Sequence, residues 1–147
     1  MLAAPVAHAE QTAAWAPSQR GTANTLSNVT LGAQIGLDTW HSLKSSNRVN
    51  AFCEQGLGLA IAIGVDTLLK HSIKRLRPDG STFDSFPSGH TGAAAASGGW
   101  NFSFSAPLTE FVAVTRWGAN RHYPTDTAVG AAIGTVARIG AKGWCWQ

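Results

Sequence analysis

From Phe52 onward the apolar residues Leu57, Ile61, Val65, Leu68, Leu69, Ile73 and Leu76 recur every three or four positions. That period belongs to an α-helix with one buried stripe. Pro78 and the turn pair Asp79-Gly80 end it. The alternating stretch Leu57 to Ile63 could pass for a strand, but the longer register favours helix. The remaining chain repeats the theme. Residues 79–87 read as a loop, and a second helix starts near Ser88 and runs through Ala93–Ala96. A third covers about Leu108 to Gly118, and a fourth runs from Pro124 to about Ile139. An earlier helix is expected between about Thr30 and Leu43. Strand signals are weak throughout, so the fold expected is an all-α bundle of about five helices with a site at helix ends.

Length and composition set the limits. One domain suits 147 residues, of which 44% are hydrophobic and only 13% charged. A chain this apolar, with six tryptophans, folds and is not disordered. A net charge of +3 gives no reason to expect nucleic acid as a partner. The longest uncharged apolar run, Gly56 to Val65, is ended by Asp66 and is short of the roughly 20 residues of a membrane span. Peripheral membrane contact stays open through the low charge and the aromatic end Trp144-Cys145-Trp146. Ala7-His8-Ala9 before Glu10 reads either as the tail of a secretory signal or as an Ala-rich end. Residues 1–29 are therefore assigned as a signal remnant or flexible arm, and residues 30–147 as the helical domain. Cys53 and Cys145 either pair, as export would allow, or remain two buried thiols.

Three short motifs carry chemistry. In Lys70…Arg77-Pro78, a continuing helix would place Lys70, Lys74 and Arg77 on one face and send Arg75 elsewhere. Taken alone, this is a solvated basic face. In Pro87-Ser88-Gly89-His90, Ser88 caps a helix whose free amides can hold an anion, and Gly89 lets that anion approach. His90 then sits beside it. The third motif is Arg116…His122-Tyr-Pro-Thr-Asp126. Pro124 opens a helix, and Asp126 can reach back as in a capping box. If it accepts from one nitrogen of His122, the other nitrogen is left as a nucleophile or base. Three cations, a helix N-terminus and two histidines suit one phosphate and its transfer. No carboxylate cluster for magnesium and no Cys/His spacing for zinc is visible, so metal-free chemistry without a cofactor is expected.

Lys-x6-Arg-Pro, Pro-Ser-Gly-His and Arg-x5-His-x3-Asp, in that order, resemble the type 2 phosphatidic acid phosphatase superfamily, which includes bacterial class A acid phosphatases and vanadium haloperoxidases. The match runs from Lys70 to Asp126. The resemblance implies that His122 attacks phosphorus to form a phosphohistidine and that His90 protonates the leaving oxygen. It implies that Asp126 orients His122, while Lys70, Arg77, Arg116, Ser88 and Gly89 hold the phosphoryl oxygens, and that vanadate inhibits. The substrate would be a phosphorylated small molecule or a lipid phosphate or pyrophosphate. The protein would be exported, either periplasmic or membrane-associated. Thr115 stands where the family usually has Ser. Only 24 residues separate the second and third motifs, about 36 Å of helix against roughly 60 Å for two membrane crossings. A compact soluble or peripheral version follows, one that could need a second copy to complete its core. Two other functions fit the same motifs: a vanadium-dependent haloperoxidase, and a non-catalytic anion-binding helical module.

Overall fold

The computed structural model describes residues 15–98 and 101–147, and all regular structure among them is helical. A 3-10 turn, Pro17–Gln19, leads into α1 (Arg20–Lys44), followed by α2 (Arg48–Ser72), α3 (Gly89–Ala96), α4 (Phe102–Gly118) and α5 (Pro124–Cys145). Five α-helices in a bundle answer the expected class. Three boundaries move well outward: α1 starts ten residues before Thr30, α4 starts six residues before Leu108, and α5 continues past Ile139 to Cys145. Residues 20–29 are thus helix and not a flexible arm, because tertiary partners described below take up their polar side chains. The proposed signal remnant falls largely on residues 1–14, outside the described residues.

Small residues set the packing. Ala62, Ala96 and Ala137 form the apolar centre, with Leu59 and Ile133 against it. A Cβ added at Gly130 would stand 2.4 Å from the Ser88 carbonyl oxygen, and one at Gly134 would stand 2.0 Å from that of Gly92. The backbones of α3 and α5 therefore touch, which brings the first turn of α3 against the first turn of α5. Gln34, fully buried on α1, donates to the Ala94 carbonyl at 2.7 Å and so ties α1 to α3. Cys53 and Cys145 are joined in a disulfide across 92 positions, linking the start of α2 to the end of α5.

Large apolar side chains point the other way. Val49, Leu68, Phe102, Val136 and Trp144 are each more than two-thirds exposed, while Ser27, Gln34, Asp66 and Thr115 are buried. That inverts the usual distribution for a protein surrounded by water. By length and composition α2 is long and apolar enough to cross a membrane, and only 22% of its most apolar window is buried in the bundle. This corrects the expectation drawn from the run ending at Asp66. The Asp66 side chain turns inward, so the outer face of α2 continues without a charge.

Candidate active site

The N-termini of α1, α3 and α5 and the C-termini of α2 and α4 meet at one end of the bundle. There the three motifs come together. Between α2 and α3 the chain does not continue as helix. Ile73 closes α2, and its backbone N–H bonds back to Leu69. Residues 75–85 then pair with themselves: Ser85 N–H donates to the Arg75 carbonyl at 3.0 Å, and Arg77 N–H to Thr82 at 2.9 Å. Lys70, Lys74 and Arg77 consequently do not share a helix face. Lys74 is exposed just after α2, whereas Arg77 returns to the site by way of the loop.

Lys70 clamps that loop. Its Nζ donates to the Asp84 carbonyl at 2.9 Å and to the Pro87 carbonyl, holding the residues ahead of α3. Arg77 Nη2 donates to Asp84 Oδ2 at 2.8 Å, and its buried Nε has no partner among the described residues. The Phe86–Pro87 peptide is cis. Ser88 occupies the cap position of α3, but its hydroxyl faces Thr91 Oγ1 at 3.1 Å and not a backbone amide. The first amides of α3 therefore keep the free donors that a helix start offers to an anion. Gly89 has a second reason to be small, since a Cβ there would lie 3.1 Å from Asp66 Oδ2.

His122, 4% exposed, donates from Nδ1 to the Ser85 carbonyl at 2.6 Å. A carbonyl only accepts, so the Nδ1 proton is fixed and the neutral ring carries its lone pair on Nε2. Asp126 Oδ2 stands 3.9 Å from the same Nδ1. Its shorter bonds go elsewhere: Oδ2 accepts from Tyr123 N–H at 3.0 Å and from the Ser85 hydroxyl, and Oδ1 accepts from Arg75 Nη1 at 2.7 Å. The residue taking the Nδ1 proton is therefore Ser85, and Asp126 holds Ser85 in place. Arg75, expected to point away, also lies over the Tyr123 ring at 4.0 Å. Burial works to raise the Asp126 carboxyl, but the neighbouring His122 ring, bonds from Ser85 and Tyr123 and the charge on Arg75 hold it below its ordinary value.

His90 Nε2 donates to Asn28 Oδ1 at 2.8 Å. Arg116, 4% exposed, donates from Nη1 to Asn24 Oδ1 at 2.7 Å and to Ser27 Oγ at 3.3 Å, while its buried Nε has no partner among the described residues. The three α1 residues lie on one helical face, at i, i+3 and i+4. Reading residues 1–29 as an arm missed them, although polar residues at that spacing on either side of Leu26 were a visible signal. Nothing in the sequence marks Ser85.

The electrostatics register the convergence. Burial, then Arg116, His122, Arg77 and Lys70, push His90 down to about 4. Burial and the nearby cations Arg77 and Arg121 bring Arg116 down to about 10. Burial also lowers His122, with Arg116 adding to it. Each effect has one source: cations and imidazoles gathered in a low-dielectric pocket, a field that an incoming phosphate would neutralise. Chemically, the arrangement offers two unpaired guanidinium donors, a helix start, one imidazole lone pair and a second imidazole.

Over 86% of this chain and 86% of the other, the fold superposes on the crystal structure of Aquifex aeolicus LpxE, with a TM-score of 0.55 and 23% identity. That likeness establishes the helical architecture. In sequence, the chain is 33% identical over 99 residues to the lipid A 1-phosphatase of Porphyromonas gingivalis strain ATCC 33277, covering 60% of this chain. It spans about a fifth of that relative's length, 22%. No family model matches.

Proposed function

We propose that this chain is a member of the type 2 phosphatidic acid phosphatase superfamily and hydrolyses lipid phosphates through a phosphohistidine, without a metal. One observation carries the reading: Lys70, Arg77, Arg116 and the α3 amides surround two histidines, one of which has its lone pair set on Nε2 by Ser85. His122 Nε2 attacks phosphorus as the bond to the leaving oxygen breaks, and protonated His90 gives that oxygen its proton. Water then attacks phosphorus and loses a proton to His90. The P–N bond breaks, inorganic phosphate departs and His122 is regenerated. Arg77, Arg116 and the helix amides hold the phosphoryl oxygens, and their attraction grows as charge develops on them. Substrate dianion raises His90 from its low resting value, so binding itself protonates the general acid.

A lipid substrate is favoured by the outward-facing apolar side chains and by the lipid A 1-phosphatase likeness. A cavity of about 460 Å³ between α4 and α5, lined by Ala106, Ala113, Trp117, Ala128, Ala131 and Ile139, gives an apolar chain room and borders Thr91 and Trp117, the chain neighbours of His90 and Arg116. The disulfide favours an oxidising compartment, and with the exposed apolar faces it supports a location outside the cytoplasm at a membrane. The test is phosphate release from an aryl phosphate and from a lipid monophosphate, with chelator present. Release should persist in chelator, cease with vanadate and be absent in His122→Ala. A His122→Ala protein with near-full turnover would overturn the mechanism, and dependence on added metal would overturn metal independence.

A further inference from the structure

A second cavity, about 430 Å³, lies at the other end of the bundle. Measured along the helices at 1.5 Å per residue, Asp38 is about 21 Å beyond Asn24, Glu54 about 24 Å from Lys70, and Arg138 about 18 Å from Asp126. All three helices thus separate it from the phosphate site. Asp38 of α1 and Glu54 of α2 line it, with Arg138 and Lys142 of α5 and with His41 and Trp146. Glu54 Oε2 accepts from Trp146 Nε1 at 2.8 Å. Asp38 is only 5% exposed, yet no hydrogen bond and no ion pair reaches it among the described residues.

A carboxylate facing a cavity from a largely buried residue is costly to leave without an ionic partner. Here two carboxylates and two cations face one cavity without pairing. Three or more acidic, histidine or cysteine ligands that could hold a metal ion do not group among the described residues. We propose that the cavity binds a small zwitterion carrying a primary ammonium a few bonds from a phosphate-like or carboxylate group. The ammonium sits between Asp38 and Glu54, and the acidic end faces Arg138 and Lys142. Burial and Glu54 push the Asp38 carboxyl up to about 7, against the pull of Arg138, so the ammonium binds better as pH rises through that value. His41 on α1 and Lys142 on α5 are the other charged or titratable groups facing it, and α3 contributes only Ala96.

The probe is 2-aminoethylphosphonate, whose C–P bond resists hydrolysis, titrated calorimetrically into the full chain with vanadate saturating the phosphate site. The expected result is one site, weakened about tenfold or more by Asp38→Asn and by Lys142→Gln, and unchanged in His122→Ala. Lys142 is exposed, so its variant keeps the fold even if Asp38→Asn does not. Absence of binding, equal affinity in Lys142→Gln, or loss in His122→Ala would overturn the proposal. Displacement of the probe by phosphatidylethanolamine vesicles, and not by phosphatidylglycerol vesicles, identifies a lipid headgroup as the source. Displacement only by soluble zwitterions such as β-alanine identifies a free metabolite. Because the assay needs no turnover, its failure is separable from failure of the phosphatase reading.

Discussion

His90 and His122 are the same residue type set in different surroundings by what each ring nitrogen touches. Ser85 fixes the tautomer of His122, and Asn28 holds His90 from a helix at the other end of the sequence. Asn28→Ala should lower kcat about tenfold while changing KM little, and should move the pH limb that reports the general acid; steady-state kinetics from pH 4 to 8 measure both. A uniform loss with an unmoved pH profile would make Asn28 merely structural. The same environment predicts a stability profile. His90 is held at about 4 in the fold, against 6.5 ordinarily, so the unfolded chain takes up a proton between those values and the folded chain does not. Stability is therefore lost as pH falls from about 6.5 toward 4. Thermal melts across that window should show a steeper loss for the wild type than for His90→Gln, and bound vanadate should flatten it; parallel curves would contradict the assigned environment.

At the scale of elements, the site depends on how closely α3 can approach α5. Gly134 lies against the Gly92 carbonyl and Gly130 against that of Ser88, so an added methyl meets backbone that cannot swing away. Gly134→Ala should destabilise the fold by about 1–3 kcal/mol, read by urea unfolding, and should lower activity because the α3 amides shift. Gly64→Ala on α2, with open space around it, is the control and should be neutral or slightly stabilising. The start of α5 was readable because Pro124 and Asp126 carry their own local logic: fixed φ, then a carboxylate reaching the Tyr123 amide. Two other element ends were not readable for opposite reasons. Apolar spacing continued past Ser72, but the chain turned there because backbone groups of Arg75 and Arg77 pair with the loop. Around Asn24 the small polar residues argued against a helix, yet α1 begins at Arg20 because Arg116 and His90 take up that polar face.

Across the whole molecule, the disulfide closes a loop of 92 positions between the ends of α2 and α5. On chain-entropy grounds, its reduction should cost about 4–5 kcal/mol, seen as a lower urea midpoint in reductant or in Cys53→Ser, with little change in kcat under folding conditions. The bundle also turns its bulky apolar residues outward around a core of alanine, glycine and buried polar groups, so the apolar outer face is a property of the assembled helices. By itself, the sequence determined the helical class, the order and spacing of three motifs that meet at one end of the bundle, and the identity of both histidines. Each of these rests on local rules: apolar period, proline and glycine punctuation, and the donors of a helix start. Tertiary structure alone decided that Asn24, Ser27 and Asn28 belong to the site and that Ser85 stands between His122 and Asp126. It also decided that Arg75 braces Asp126 and that Asp66 faces inward. Those choices depend on which distant groups meet when helices pack, and residues some 60 to 90 positions apart leave no periodic mark on one another.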